Sequence, residues 1–171
     1  MNNTKDPFSA IGFSIIELVI VIVIAAILAT LAIPNYLTFI ADNHATELAN
    51  TLNTAIRLTK SEALHRGENV KICALNSAGS TTCNDTAAVW QYGWQIIGVS
   101  SGDILHTYQP SDASAISLDI ASSIVYQPSG FPTTTEYVFT IKPTDCSRGY
   151  QITYNLTATN GALQSQQVSC P

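Results

Sequence analysis

One charged side chain in a long apolar stretch near the amino terminus is the first candidate for chemistry. Residues 13–33 carry a single charge, on Glu17. A carboxylate within a membrane helix costs about 2.5–3.5 kcal/mol on insertion scales, so it is a candidate functional residue and needs a partner. The sequence therefore predicts that Glu17 interacts with a group outside its own helix.

The cysteines form the second candidate set, and all four follow the apolar stretch: Cys73, Cys83, Cys146 and Cys170. Their spacings match no zinc or redox C-x-x-C pattern. In a domain exported to an oxidising compartment, two disulfides are expected. Of the three possible pairings we favour Cys73–Cys83 with Cys146–Cys170, and each bond would restrict the unfolded chain by roughly 3 kcal/mol.

No group of residues has the spacing of an enzyme active site. The sequence has no G-x-S-x-G motif, no glycine loop for phosphate, and no histidine close to a nucleophile-like serine or cysteine. Metal ligation by the cysteines is the alternative to disulfides. We favour it less because the three histidines are scattered singly, at His44, His65 and His106. We therefore expect neither enzymatic activity nor a cofactor.

The apolar stretch itself predicts a membrane-spanning helix over residues 13–33. At about 1.5 Å per residue it spans roughly 30 Å, the thickness of the hydrocarbon core of a bilayer. A signal peptide has a shorter apolar region, followed by a small-residue cleavage site, whereas the polar boundary here lies in front of the stretch. A plain membrane anchor would not explain Glu17.

Helical periodicity continues after Pro34, and we expect one helix over residues 13–66 that bends at this proline. Apolar residues recur with the spacing of one helix face: Leu37, Ile40, Leu48, Leu52, Ile56 and Ala63. Gly67 is the predicted end of the helix, since glycine readily adopts the left-handed conformation found there. The second half of the helix should therefore pack beneath a sheet.

Beyond Gly67 the period changes to two, which predicts strands separated by turns. The predicted strands are Val70–Leu75, Val89–Val99, Ile104–Tyr108, Ser123–Gln127, Glu136–Lys142, Gly149–Leu156 and Ala162–Val168. Short connections favour an antiparallel sheet or two small sheets. The predicted fold class is α+β.

The charge balance disfavours nucleic acid as a ligand. The formal net charge is −5 and the pI is about 4.9, whereas phosphates attract clustered lysine and arginine. Four basic residues gather near the predicted helix end: Arg57, Lys60, Arg66 and Lys71. Because Glu62 and Glu68 interleave with them, we interpret this cluster as a solvated helix terminus.

The segment Gly12-Phe13-Ser14-Ile15-Ile16-Glu17 resembles the class III signal of type IV pilins and type II secretion pseudopilins. The resemblance implies that residues 1–12 are a leader removed by a prepilin peptidase between Gly12 and Phe13. It implies methylation of the new amino-terminal Phe13 and pairing of Glu17 with the amine of a neighbouring subunit. Pro34 matches the proline that interrupts pilin helices.

Two further segments are similar to the GspH/FimT/FimU family. Ser61–Gly67 reads S-E-A-L-H-R-G, like the helix exit of that family, and Trp90–Trp94 resembles its G-W strand. The resemblance implies a pilin-like fold, in which residues 34–67 form the second half of the helix and residues 68–171 form a β-rich head. We expect Gly93 to let the two flanking tryptophans pack closely.

The resemblance implies a minor type IV pilin that primes or caps the filament, with other minor pilins, the major pilin and an inner-membrane assembly platform as partners. The head would be periplasmic before reaching the cell surface, and lipid would surround the helix before assembly. A GspH-type pseudopilin of type II secretion and an unprocessed membrane anchor are alternatives. DNA binding is less favoured, since the family's basic G-R-x-R is replaced by Gly161-Ala162-Leu163-Gln164.

Overall fold

The computed structural model of the chain describes residues 14–84, 90–110, 123–143, 146–155 and 162–170. A single helix, α1, spans Ile15–Arg66 without interruption. Ser14 precedes it, and its carbonyl accepts hydrogen bonds from the backbone amides of Glu17 and Leu18. Gly67 follows it in the left-handed conformation (φ 67°) and donates to the carbonyl of Ala63 at 3.1 Å. The helix thus ends where the sequence predicts.

The chain divides into two compact units, residues 1–36 and residues 37–171. In the first unit the helical backbone continues through Pro34. A proline removes one helical hydrogen bond but does not by itself end a helix held by its neighbours. By length and composition, α1 is able to cross a membrane.

In the second unit, one face of α1 supplies the helical part of the hydrophobic core. Its buried side chains recur every three or four residues: Ala45, Leu48, Ala49, Leu52, Ala55, Ile56, Thr59 and Ala63. The predicted stripe is wrong at its start, since Leu37 is 58% exposed and Ile40 is 48% exposed. Asp42 is the first buried residue in the described part of α1, so these two residues precede the buried part of the helix.

The first sheet is antiparallel and is built around β1 (Val70–Leu75). On one side of β1 lie β3 (Trp94–Gly98) and then β4 (Ile104–Tyr108). On its other side lie β5 (Ser123–Tyr126) and the two-residue strand β2 (Cys83–Asn84). Ile72 of β1 pairs with Ile96 and Ile124, so three β-branched side chains meet in the core.

The second sheet has the order β6–β7–β8 and is also antiparallel. Its strands are β6 (Glu136–Ile141), β7 (Arg148–Asn155) and β8 (Leu163–Ser169). Aromatic residues join the two sheets, because the hydroxyl oxygens of Tyr126 and Tyr137 lie 2.7 Å apart in the buried core. Burial raises the pKa of Tyr137 above its usual value, so this hydroxyl stays neutral.

Two strand predictions need correction. The predicted strand Val89–Val99 is too long, since Trp90–Tyr92 forms a short 3-10 turn and β3 begins only at Trp94. The second correction concerns β2, which lies between two predicted strands, where no strand was predicted. Its two residues pair with Ala74 and Leu75. Formation of β2 is favoured by the disulfide between Cys73 and Cys83, a long-range constraint with no signature in strand periodicity.

Gly93 explains the end of the short 3-10 turn. Its φ is 103°, and a Cβ placed there would collide with the backbone carbonyl of Tyr108. The close approach predicted at this glycine is therefore to a backbone and not between the two tryptophans. Trp94 stacks on Tyr108 with ring centroids 4.3 Å apart, whereas Trp90 packs edge-on against Phe139 at 5.0 Å.

Candidate assembly site

Glu17 lies in the first turn of α1, where the helix dipole favours a carboxylate. Its side chain is exposed, as are those of Ile16 (64%) and Leu18 (55%). Among the described residues, no hydrogen bond or ion pair reaches this carboxylate within the chain. Gly12 and Phe13, the predicted cleavage and methylation sites, lie outside the described residues. Pairing of Glu17 with a group from another molecule therefore stays a prediction.

The first unit presents a wide apolar surface, which we name the apolar helix surface. Its members are at least 49% exposed: Ile15, Ile16, Leu18, Val19, Ile20, Val21, Ile22, Val23, Ile24, Ile27, Leu28, Ile33 and Tyr36. Residues 18–24 are consecutive and cover nearly two turns, so the helix is apolar all round. A helix of this kind is stable when lipid or other helices cover it.

In the second unit, a buried carboxylate joins α1 to the start of β7. Asp42 is 6% exposed. Its Oδ1 accepts hydrogen bonds from the backbone amides of Ser147 and Arg148, both at 2.9 Å. Its Oδ2 accepts from Ser147 Oγ at 2.7 Å and from Arg148 Nε at 3.1 Å. We call this arrangement the Asp42 clamp.

The hydrogen bonds of the clamp lower the pKa of Asp42 to about 2. The largest cause is the hydrogen bond from the Ser147 side chain, followed by the one from the Arg148 amide. Desolvation opposes this shift, but four donors stabilise the ionised carboxylate more strongly. Asp42 is therefore a charged and fully bonded group at neutral pH.

The role of Asp42 was not predicted, although the sequence contains a signal for one. Asp42 has the same three-and-four spacing as Ala45, Ala49, Leu52 and Ile56 on the buried face of α1. A charged residue on an apolar stripe is rarely buried unless it is paired. The identity of the partners was not predictable, because they lie more than a hundred residues away.

The clamp lies beside the second of two disulfides, Cys73–Cys83 and Cys146–Cys170. This is the pairing favoured from the sequence. Cys146 directly precedes Ser147, and the backbone amide of Cys170 donates to the carbonyl of Ser147 at 3.3 Å. One turn further along α1, Thr46 Oγ1 donates to Tyr150 Oη at 3.1 Å. The helix, the start of β7 and the end of β8 are therefore tied together.

Comparison with known proteins now assigns the chain to a family. The sequence model of the GspH family, described as type II transport protein GspH, matches residues 48–158, more than half of the chain. The chain belongs to the GspH family. The match covers most of the packed part of α1 and seven of the eight described strands. GspH-family proteins with this fold are structural pilin subunits and not enzymes.

The fold is similar to that of the type IV minor pilin FimU of Pseudomonas aeruginosa strain PAO1. In one crystal form of FimU the TM-score is 0.56 at 20% identity, covering 75% of this chain and 92% of FimU. In a second crystal form the TM-score is 0.50 at 20% identity, covering 71% and 91%. The pilin-like α+β fold predicted from the sequence, with a long amino-terminal helix and an antiparallel head, is confirmed.

The helix exit of this GspH-family head is held by a charged network. Arg66 Nε lies 3.0 Å from Glu62, and its Nη1 lies 3.2 Å from Asp103 and 3.8 Å from Glu68. The Glu68 carboxylate also accepts bonds from the backbone amides of Ser100 and Ser101. The contacts with Glu62 and Asp103 raise the pKa of Arg66, and the hydrogen bond to Glu62 is the larger cause. The S-E-A-L-H-R-G segment thus has a structural role in joining the helix end to the β3–β4 turn.

The basic residues considered for DNA binding do not form one patch. Arg66 is engaged by three carboxylates. Arg57 Nε donates to Asn53 Oδ1 at 3.0 Å, and Arg57 and Lys60 line a notch with Tyr126, Ala162 and Leu163. Gly161 lies outside the described residues. Of the four basic residues, Arg57 and Lys60 thus share the notch, whereas Lys71 lies on β1.

The histidines provide no support for a metal site. Among the described residues, no group of three or more histidine, cysteine or acidic side chains is arranged to hold a metal ion. All four cysteines are used in disulfides. His106 lies on β4, whereas His44 and His65 lie on α1.

Proposed function

We propose that this protein is a minor type IV pilin that primes or caps the filament. The observation that carries the proposal is the contrast between a head with its own buried core and a helix that is apolar all round and exposed. Lipid can cover this helix before assembly, and neighbouring pilin helices can cover it afterwards. Glu17 then supplies a specific polar contact within the apolar environment.

The proposed path begins at the inner membrane, with the head in the periplasm. A prepilin peptidase hydrolyses the bond between Gly12 and Phe13, which creates a free amine on Phe13 that is then methylated. The Glu17 carboxylate pairs with this amine of an adjacent subunit, because in hydrocarbon each charge removes the desolvation cost of the other. Pro34 lies where the helix leaves the filament core. The assembly platform, other minor pilins and the major pilin are the partners.

A pseudopilin of a type II secretion system is the second candidate. It is supported by the description of the matching family as a type II transport protein. A pseudopilin would use the same cleavage site, the same glutamate and the same helix. The two disulfides fit both candidates, because the periplasm and the cell surface are both oxidising surroundings in which disulfides persist.

DNA uptake through direct binding is the least supported candidate. The chain is acidic overall, Arg66 is already paired, and the described start of β8 reads Ala162-Leu163-Gln164 without a cation. Phosphate recognition depends on several free cations that release counterions.

The test is to count sheared surface pili in a strain that lacks this chain, with protein secretion and DNA uptake measured in parallel. We expect loss of pili and recovery on complementation. Normal pili with failed secretion would assign the chain to a pseudopilus. Normal pili with failed DNA uptake would overturn the proposal in favour of a DNA receptor.

A further inference from the structure

The second sheet ends in an open edge at β8. β8 pairs with β7 at seven positions, from Leu163 opposite Tyr154 to Ser169 opposite Arg148. Within the described part of the chain, no strand pairs with the other side of β8. The side chains of residues 164–167 are exposed. An edge of this kind presents backbone N–H and C=O groups that can pair with a further strand.

β8 also lacks the features that usually prevent such pairing. Leu163–Ser169 reads L-Q-S-Q-Q-V-S, without a charge or a proline. Among the other described edge strands, β2 has only two residues and β6 begins at Glu136. β4 follows Asp103, and its register shifts against β3. β5 has only four residues, and a neighbouring loop already bonds along it, with the Thr133 amide donating to the Val125 carbonyl at 2.8 Å. Charges, short strands, covered edges and irregular register discourage edge-to-edge contact, so β8 is the exception among the described edge strands.

The edge is formed before any partner arrives. The Cys146–Cys170 disulfide ties the residue after β8 to the segment that precedes β7. Side chains also connect the two strands, with Gln166 Nε2 donating to Gln151 Oε1 at 2.6 Å and Gln167 Nε2 donating to Tyr150 Oη at 3.1 Å. A preformed template reduces the conformational entropy lost on binding.

A basic notch lies at the start of β8. It has a volume of about 190 Å³ and is lined by Arg57, Lys60, Tyr126, Ala162 and Leu163. No acidic side chain is among these lining residues, although the chain as a whole has a formal charge of −5. The notch is therefore positively charged and complementary to a carboxylate, although the chain as a whole is acidic.

We propose that β8 is the docking edge for an extended segment of a neighbouring pilin-type subunit, which adds as an antiparallel strand and places an acidic residue in the notch. Every described strand pair in the head is antiparallel. Because β8 begins at the notch, an antiparallel strand reaches it with its carboxyl end. The main-chain bonds would provide affinity and the acidic residue would set the register. This inference rests on the proposed function for the nature of the partner.

Two fluorescent peptides test the proposal with the full chain in detergent micelles. One alternates threonine and valine over six residues and ends in two aspartates; the other ends in two lysines. We expect the acidic peptide to bind at least ten times more tightly, measured by fluorescence anisotropy. Lys60→Glu should reduce this preference to twofold or less. Lys142→Glu makes the same change in charge after β6 and should leave the preference intact.

Proline substitutions test whether the backbone edge is used. Successive N–H groups of a strand point to opposite sides, so one of Ser165→Pro and Gln166→Pro removes an outward donor and the other removes a bond to β7. The variant that keeps the native melting temperature should lose peptide binding at least tenfold. Should both prolines unfold the head, hydrogen exchange of the unsubstituted chain tests use of the edge without a variant.

Hydrogen exchange locates the bound peptide. We expect slower exchange of β8 amides on addition of the acidic peptide and unchanged exchange of β4 amides. Equal binding of the two peptides, no binding by either, or protection at β4 would overturn the proposal. Binding of a DNA duplex that Lys60→Glu abolishes, without peptide binding, would assign the notch to phosphate. These outcomes do not depend on pilus assembly, so the proposal can fail while the proposed function holds.

Discussion

The two parts of α1 differ in what covers them. From Ala45 to Ala63 the helix buries one face within its own head, and Leu52 is 1% exposed. From Leu18 to Leu28 it is apolar all round, and Ile22 is 59% exposed. The segment Ala45–Ala63 resembles a helix of a soluble protein, with one apolar and one polar face. The amino-terminal segment requires lipid or other helices to cover its apolar side chains.

This difference separates folding from assembly along one continuous helix. Mutations in the packed part should change the stability of the head, whereas mutations in the apolar helix surface should change membrane insertion or filament entry. Substitutions in the two parts should therefore differ in effect, and so should substitutions at sites of different burial within the head.

The largest effect on stability is expected in the packed part of α1. Leu52→Ala removes a buried side chain from the core and should lower the free energy of unfolding of the head by about 2–5 kcal/mol. Ile22→Ala should leave that energy unchanged within about 0.5 kcal/mol. Near-UV circular dichroism of the full chain in micelles during urea unfolding measures both. Equal destabilisation by the two substitutions would contradict the distinction between the packed part of α1 and the apolar helix surface.

Loss of a disulfide should have the next largest effect. Replacing Cys146 and Cys170 together by serine should cost roughly 3 kcal/mol, because the unfolded chain regains its freedom. The pair Cys73 and Cys83 closes a shorter loop and should cost slightly less. The same urea unfolding experiment compares the two double variants. A larger loss for the shorter loop would contradict the loop-entropy account.

The Asp42 clamp should make the stability of the head fall at acidic pH. The pKa of Asp42 is lowered from 3.8 to about 2 on folding, so its contribution is fully present above the unfolded pKa. As the pH falls from about 5 through 2, that contribution is lost progressively. Asp42→Asn should remove this part of the pH dependence, as measured by melting temperature from pH 7 to pH 2.

Asp103→Asn is the matched control for the clamp, since the Asp103 side chain is 61% exposed. It should leave the acid dependence almost unchanged. At neutral pH, Asp42→Ala should cost about 1–3 kcal/mol because it removes four partly buried hydrogen bonds to Ser147 and Arg148. A variant Asp42→Asn that keeps the full acid dependence would show that other carboxylates cause it.

The smallest effect is expected at the charged network of the helix exit. Arg66→Ala removes contacts to carboxylates that are partly exposed, and such contacts contribute little to stability. The fall in melting temperature should be smaller than that caused by Asp42→Ala and should diminish further in 1 M salt. A fall larger than that of Asp42→Ala would mean that this network is a major support of the head.

Local patterns were sufficient to predict much of the fold. The apolar run, the three-and-four spacing of Leu48, Leu52 and Ile56, and the stop at Gly67 are all short-range signals. The strand β1 and the disulfide pairing were also predictable, the former from periodicity and the latter from the position of the cysteines in an exported domain.

Features that depend on distant contacts were not predictable in the same way. Asp42 acquires its partners from residues 147 and 148, more than a hundred residues away. The positive φ of Gly93 divides a segment whose composition favours one strand. For the candidate site, the motif around Glu17 and the apolar run are local, whereas the open edge of β8 becomes visible only once the strand order is known.

The central claim is that Glu17 serves assembly and not folding, and Glu17→Ala tests it most directly. The variant should be cleaved before Phe13 and should keep the urea unfolding curve of the head, yet it should be absent from sheared filaments. Glu47→Ala removes an exposed carboxylate from the packed part of the same helix and should enter filaments normally. Normal entry of the Glu17→Ala variant into filaments would contradict the account.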